Sequence, residues 1–359
     1  MRRIGTAFLI AILLLAHARL SCSGEVNGHE ANAVKAPLRL HIIGGLANVH
    51  QFQRHEVPFW TERVPALTGG RVTADIVPFD KAGVPGNDLL RLMSAGAVPF
   101  GTALLGVSSS TDPEFGAVDL AGLSADMSAL HRRAESLRPH LQRVLKERYG
   151  LRLLALYAYP AQVLFCRDRF KSLKDLAGRR IRTATPSQSD FFEALGAHPV
   201  RTSFSELLSH MNSGNTSCAV TGAMSGNTIG LHQVTGYLSP LTISWGMSLF
   251  AANEAAWQAL PLDIQQTIGS ALRQLEADVW ADADRETQEG VACNVGARTC
   301  ANGSPGQMQL VQPTAEDARL RTEVFQTAVL PRWFMRCGEP CEKLWTTRMT
   351  ATPRTTRAQ

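Results

Sequence analysis

The 359-residue sequence lacks the usual marks of an enzyme, a nucleic-acid binder or a membrane-spanning protein. It has no Walker-type phosphate loop, since Gly69-Gly70 is not followed by the Lys-Ser/Thr end that such a loop needs. Gly222-Ala223-Met224-Ser225-Gly226 sets a serine among glycines but is not G-x-S-x-G. Ser108-Ser109-Ser110 has no base at a telling spacing. The ten histidines are scattered, and His50 and His55 lie five apart, missing the i,i+4 spacing of a helical metal pair. Catalytic triads assemble in three dimensions, so these absences weigh lightly alone. A net charge of +5 and 7% aromatics, with no basic stripe interleaved with aromatic residues, argue against nucleic acid. Beyond the N-terminal segment no apolar run reaches the length of a transmembrane helix, and there is no internal repeat.

What is present fits an exported globular protein. The composition, 45% hydrophobic and 19% charged, is that of a soluble chain long enough for two lobes. Arg2 and Arg3 precede a short apolar stretch, Ala7–Ala16, and Ala16-His17-Ala18 supplies an A-x-A cleavage site, so residues 1–18 are predicted to be a signal peptide. Its removal takes away two arginines and lowers the net charge from +5 to +3 (5 − 2). Cys22 offers an alternative, a lipid anchor, but Arg19-Leu20-Ser21 puts arginine where the lipoprotein pattern has an apolar residue. Seven cysteines in an oxidising compartment predict disulfides with one thiol left over. Cys293 and Cys300 would close one small loop, and Cys337 and Cys341 another. A zinc site from these four is the alternative, although they lack paired C-x-x-C knuckles. Cys166 and Cys218, both at strand ends, could form a third pair and leave Cys22 odd.

Strand and helix patterns alternate. Leu38–Gly44 reads as a first strand, with a helical run His50–Leu67 stopped by Gly69-Gly70. Arg71–Phe79 and Gly101–Val107 read as strands on either side of a short helix, Asn87–Ser94. Ala129–Tyr149 is a long amphipathic helix, and Leu151–Tyr159 and Gln162–Cys166 are strands. Further strands are expected at Arg179–Thr183, Ser217–Thr221, Tyr237–Ile243 and Trp245–Ala252. After Pro261, Ile264, Ile268, Leu272, Leu275 and Val279 mark one apolar face of a long helix. Asp317–Trp333 is predicted to be a terminal helix, and 350–359 a disordered tail. This order implies an α/β fold with mainly parallel sheets.

The most informative stretch is Ser172–Gly214, SLKDLAGRRIRTATPSQSDFFEALGAHPVRTSFSELLSHMNSG. Arg182 falls near the end of a short strand. A helix start follows at Thr185-Pro186-Ser187-Gln188, and Ser203-Phe204-Ser205-Glu206 has the pattern of a second capping box. A guanidinium beside a helix N-terminus suits a carboxylate, since its fork donates two hydrogen bonds and the helix start adds a favourable dipole. On these residues alone Arg182 reads as an ordinary surface arginine. The segment, however, resembles the signature of the solute-binding proteins of TRAP (tripartite ATP-independent periplasmic) transporters: "DLKG-x-K-x-R", then "E-x-x-x-ALGA-x-P", then "sE-x-x-x-ALQ-x-G".

The resemblance covers about Leu38–Gln288 and implies a two-lobed periplasmic binding protein fold with crossing strands and a long lobe-spanning helix. On this chain it places lobe 1 at 38–164 plus 245–260, lobe 2 at 165–244 and the spanning helix at 261–288; the cysteine-containing extension, 289–349, is an addition to the usual plan. It implies a solute-binding component that captures a small organic carboxylate and delivers it to membrane permease subunits, with Arg182 pairing the carboxylate. It calls for no cofactor and no catalytic residue, names no metal ligand while leaving open whether a metal ion assists binding, and implies membrane contact only through the permease or an anchor at Cys22. Ligands of open α/β sheets sit at strand ends, so Gln51, Phe52, Tyr159, Gln162, Thr221 and Trp245 join Arg182 as candidate ligand-binding residues. Arg167 reads as a solvated charge and Glu206 as a capping residue. One departure stands out: the family usually carries Asp-Gly-Gln/Glu where this chain has Ser217-Cys218-Ala219-Val220, which leaves the solute's identity open. The rival readings are a periplasmic enzyme, or a sensor or scaffold, on the same two lobes.

Overall fold

A computed structural model describes residues 36–349. The expected signal segment, Cys22 and the tail 350–359 lie outside the described residues. The strands run β1 (Leu38–Gly44), β2 (Val72–Pro78), β3 (Phe100–Leu104), β4 (Leu151–Ala158), β5 (Gln162–Cys166), β6 (Arg180–Thr183), β7 (His198–Arg201), β8 (Cys218–Gly222), β9 (Tyr237–Ser244), β10 (Met247–Asn253) and β11 (Gln309–Leu310). They form two mixed sheets, ordered β2-β1-β3-β10-β4 and β11-β9-β5-β8-β6-β7.

The core of each sheet is parallel, and the antiparallel members are the strands that cross between sheets. β1 pairs in parallel with β2 and β3, whereas β10 runs antiparallel between β3 and β4. In the second sheet β6 pairs in parallel with β7 and β8, and β5 runs antiparallel to β8 and β9. β8 and all of β10 but its last residue are buried, as expected for strands covered on both faces.

The chain passes from first sheet to second between β4 and β5, and returns between β9 and β10. These crossings are bonded to each other: Tyr159 N–H donates to Gly246 O at 3.1 Å. Gly246 has φ +91°, a conformation that a side chain there would strain. The long helix Leu262–Asn294 buries Ile264, Ile268, Leu272, Leu275 and Val279 against the first sheet. Its far end reaches the second lobe, where a Cβ on Gly290 would lie 2.2 Å from Met224 N, so only glycine permits this approach. The helix Met127–Tyr149 starts at Asp126, whose Oδ1 accepts from Ala129 N–H at 2.7 Å, and stops at Gly150 in the left-handed conformation.

The lobe boundaries read from sequence need three corrections. All of β5 lies in the second sheet, so 162–164 do not belong to the first lobe. The segment 113–124, placed wholly in the first lobe, bridges the two: Glu114 pairs with His140 of the helix Met127–Tyr149, while its later part is bonded onto the second lobe. Gly122 N–H donates to Ile243 O at 2.7 Å, and Ala121 N–H to Ser187 Oγ at 3.3 Å. The spanning helix also continues past 288 to Asn294. Smaller differences remain: the strand expected to reach Val107 turns helical at Leu105–Ser108, and the terminal helix runs continuously through Ala315–Val324, Phe325–Val329 and Leu330–Cys337, widening to a π-helical turn in the middle segment. Ser203–Glu206 forms only half of a capping box. Glu206 accepts from Ser203 N–H and Oγ–H, but the helix itself begins at Leu207 without a side-chain cap.

The extension packs against the second lobe and segment 113–124. Asp317 accepts from Leu173 N–H at 2.8 Å, Arg336 pairs with Asp190 at 2.6 Å, and Trp333 Nε1–H donates to Pro113 O at 2.8 Å. Disulfides join Cys166 to Cys218, Cys293 to Cys300 and Cys337 to Cys341.

Candidate functional site

The loops at the carboxyl ends of the strands enclose a cavity of about 600 Å³ between the sheets. Arg182 enters it from the end of β6. Its side chain is one of the largest that the fold buries, with 2% of the residue exposed. Strand register explains the direction: Arg182 lies between Val200 of β7 and Ala219 of β8, so its fork meets a carbonyl within β8 and one just past β7. Nη1 donates to Val220 O at 3.0 Å, Nη2 to Thr202 O at 2.7 Å, and Nε to Thr202 Oγ1 at 3.4 Å. Of the five guanidinium N–H groups these contacts use three and leave two, one on each Nη. Among the described residues none of these bonds goes to a carboxylate. Burial lowers the Arg182 pKa to about 10, against an opposing pull from Glu206, so the group stays cationic at neutral pH. A buried cation held by neutral acceptors, with donors left over, is an arrangement that an anion completes.

Four sequence-predicted residues line the cavity together: Arg182, Tyr159, Gln162 and Thr221. Gln162 is held by its Nε2–H donating to Trp245 O at 3.0 Å. Tyr159 lines the cavity, while its buried hydroxyl lies back beside Gln51, Ser248 and Glu56, and burial raises its pKa.

Gln51, Phe52 and Trp245 are not on the lining, and each has a physical reason. Gln51 is turned back to Glu56, donating to its Oε1 at 2.7 Å. Phe52 packs with Leu46, Val49 and Tyr159, under Gly44, where a Cβ would lie 2.5 Å from its ring. Trp245 directs its indole N–H into the core, to Ser124 O at 3.2 Å. Arg167 is also elsewhere, donating to Met211 O.

The sequence reading missed two carboxylates with displaced pKa values. Asp119 lies on the lining and takes Trp245 N–H at 2.9 Å and Gly246 N–H at 2.6 Å, clamping the second chain crossing. Burial pushes its pKa up to about 7 against those two hydrogen bonds. Glu56 sits behind the lining, accepts Gly45 N–H at 2.7 Å, and is likewise pushed up to about 7 by burial. Neither had a local signal, because Asp119 falls in an apolar loop and Glu56 in a helical run. Phe204 was also missed. It comes from the second sheet's loops yet packs on the first lobe's cluster of Leu46, Val49, Phe52 and Tyr159, so the cleft is closed across this point. Thr228 Oγ–H reaches Asn48 O at 2.9 Å in the same sense. Among the described residues no group of three or more His, Cys, Asp or Glu side chains could hold a metal ion.

The fold has close structural relatives. A Bordetella pertussis extracytoplasmic solute receptor binding pyroglutamic acid superposes with TM-score 0.76 at 19% identity, covering 86% of this chain and 98% of its own. A TRAP periplasmic solute binding protein from Shewanella oneidensis, with bound succinate, gives 0.72 at 18% identity, covering 86% of this chain and 98% of its own. One from Desulfovibrio salexigens, with bound orotic acid, gives 0.74 at 15% identity and covers 87% and 97%. No curated protein sequence matches the chain. The model of the bacterial extracellular solute-binding proteins, family 7 (DctP), matches residues 43–317, and the chain therefore belongs to that family.

Proposed function

We propose that this chain is the periplasmic receptor of a TRAP-type transporter, holding a small organic carboxylate between its lobes and presenting it to membrane permease subunits. The single observation that carries the reading is the Arg182 guanidinium, buried at the cleft and bonded only to neutral oxygens. Its two remaining N–H groups would take the carboxylate, with Gln162, Thr221 and Tyr159 completing the shell. The carboxylates bound by the Bordetella, Shewanella and Desulfovibrio proteins agree with this class of solute. Binding and closure need no cofactor and no turnover, so we assign the chain a receptor role rather than an enzymatic one. No described helix is long and apolar enough to cross a membrane, which fits a receptor that meets the bilayer only through its permease.

Calorimetric titration of the purified protein with a carboxylate panel tests this. Losing a buried charge-assisted contact costs about 2–5 kcal/mol, so Arg182→Met should bind the best acid roughly 30-fold more weakly or worse. Arg182→Lys keeps the charge without the fork and should fall between. Equal affinity in a folded Arg182→Met protein would remove Arg182 from the site.

A further inference from the structure

The two walls of the cleft differ in chemistry. The second lobe contributes both basic side chains of the lining, Arg182 and Arg201, and most of its hydroxyl and amide groups. Arg201 is exposed at the end of β7, so Arg182 is the only buried cation there. The first lobe contributes Leu46, Val49, Phe79, Leu104, Val107 and Met247, with Asn87 and Ser110 as uncharged polar groups and Asp80 as its charged group. Asp80 is held in place by accepting Ala47 N–H at 2.9 Å. A solute whose carboxylate meets Arg182 therefore turns its other end toward aliphatic and aromatic carbon and a fixed negative charge.

We propose that the cleft selects a monocarboxylate with an uncharged, largely apolar body, and disfavours dicarboxylates of the same carbon skeleton. This rests on Arg182 being the carboxylate partner. A second carboxylate pointed at the first lobe would lose its water against Leu104, Val107 and Met247, find no cation there, and be repelled by Asp80. An apolar terminus in the same position gains by burial.

Acids matched in skeleton separate these cases. Pentanoate and glutarate share five carbons, and benzoate and phthalate share a ring; all four are titrated calorimetrically into the full chain, its Arg182→Met variant and a Val107→Lys variant. The parent should bind at least one monoacid about tenfold or more tightly than its matched diacid, the ratio that a 1.4 kcal/mol difference produces. Val107→Lys supplies a cation on the first wall and should narrow or reverse that ratio, with thermal melting confirming that it folds. A diacid bound as tightly as its monoacid, through Arg182, would overturn the selectivity and leave the receptor reading intact. So would an unchanged ratio in Val107→Lys. If none of the four acids bound in an Arg182-dependent way, both readings would fall.

Discussion

Gly106 and Thr185 meet across the cleft, and the contact sets up a test of closure. Gly106 follows the end of β3 in the first sheet, while Thr185 caps the helix that follows β6 in the second. A Cβ on Gly106 would stand 2.5 Å from Thr185 Cγ2, far inside van der Waals contact. Thr185 is not free to turn that methyl away, because its hydroxyl accepts Gln188 N–H at 3.2 Å as the helix cap. Giving up the cap costs about 1 kcal/mol, and keeping it forces an overpacked contact worth about 1–3 kcal/mol. The penalty applies when the lobes are closed. An open form would escape it, so Gly106→Ala should weaken solute affinity by roughly 5- to 150-fold. The solute-free melting temperature should move little. The assay is calorimetry with the best-bound acid, paired with thermal melting of the empty protein. Thr185→Ser removes only the methyl and keeps the capping oxygen, so Gly106→Ala with Thr185→Ser should recover most of the affinity. Unchanged affinity in Gly106→Ala would refute the reasoning. A loss appearing wholly as lower stability of the empty protein would do the same, since the contact would then persist in every state.

Glu56 makes a pH prediction. Its folded pKa of about 7 lies above the ordinary 4.5, so the neutral form is favoured by folding, and stability is lost as pH rises from about 4.5 to about 7. The size is about 3 kcal/mol, and Glu56→Gln should flatten the denaturant-midpoint profile across that window by a similar amount; Asp119, shifted the same way, leaves a residual slope. An unaltered profile in the variant would show that Glu56 does not titrate there. The disulfides should differ in worth. Cys166 and Cys218 are 52 residues apart and Cys337 and Cys341 only 4, so loop entropy assigns about 4 and about 2 kcal/mol respectively. Paired Cys→Ala variants compared by urea unfolding check the order, and equal losses would count against it.

Much of the fold was legible because glycine and proline punctuate it: Gly150 ends a helix, Pro261 precedes one, and apolar periods between them read cleanly. Register across space was not. Segment 113–124 follows a first-lobe strand in sequence, yet its backbone bonds to Ile243 and Ser187, which no local pattern encodes. The same limit divides the site residues. Strand ends gave positions, and where the side chain had to follow the strand, as for Arg182 and Thr221, that was enough. Gln51 and Trp245 are near the cleft too, but Glu56 and Ser124 O offer them partners in the opposite direction. Asp119 and Phe204 depend on loops meeting from distant parts of the chain, which no local sequence pattern encodes.

The two chain crossings lie side by side, with Tyr159 N–H bonded to Gly246 O and Asp119 gripping Trp245 and Gly246. Two separate tethers would let the lobes rock, shear and twist independently. Fused, and backed by one rod-like helix packed on both lobes, they leave chiefly a single rotation. Motion of that kind works as a lever: a small change of angle at the solute becomes a larger displacement at the rims. A partner touching only the outer faces can then distinguish a loaded receptor from an empty one without ever reaching the solute.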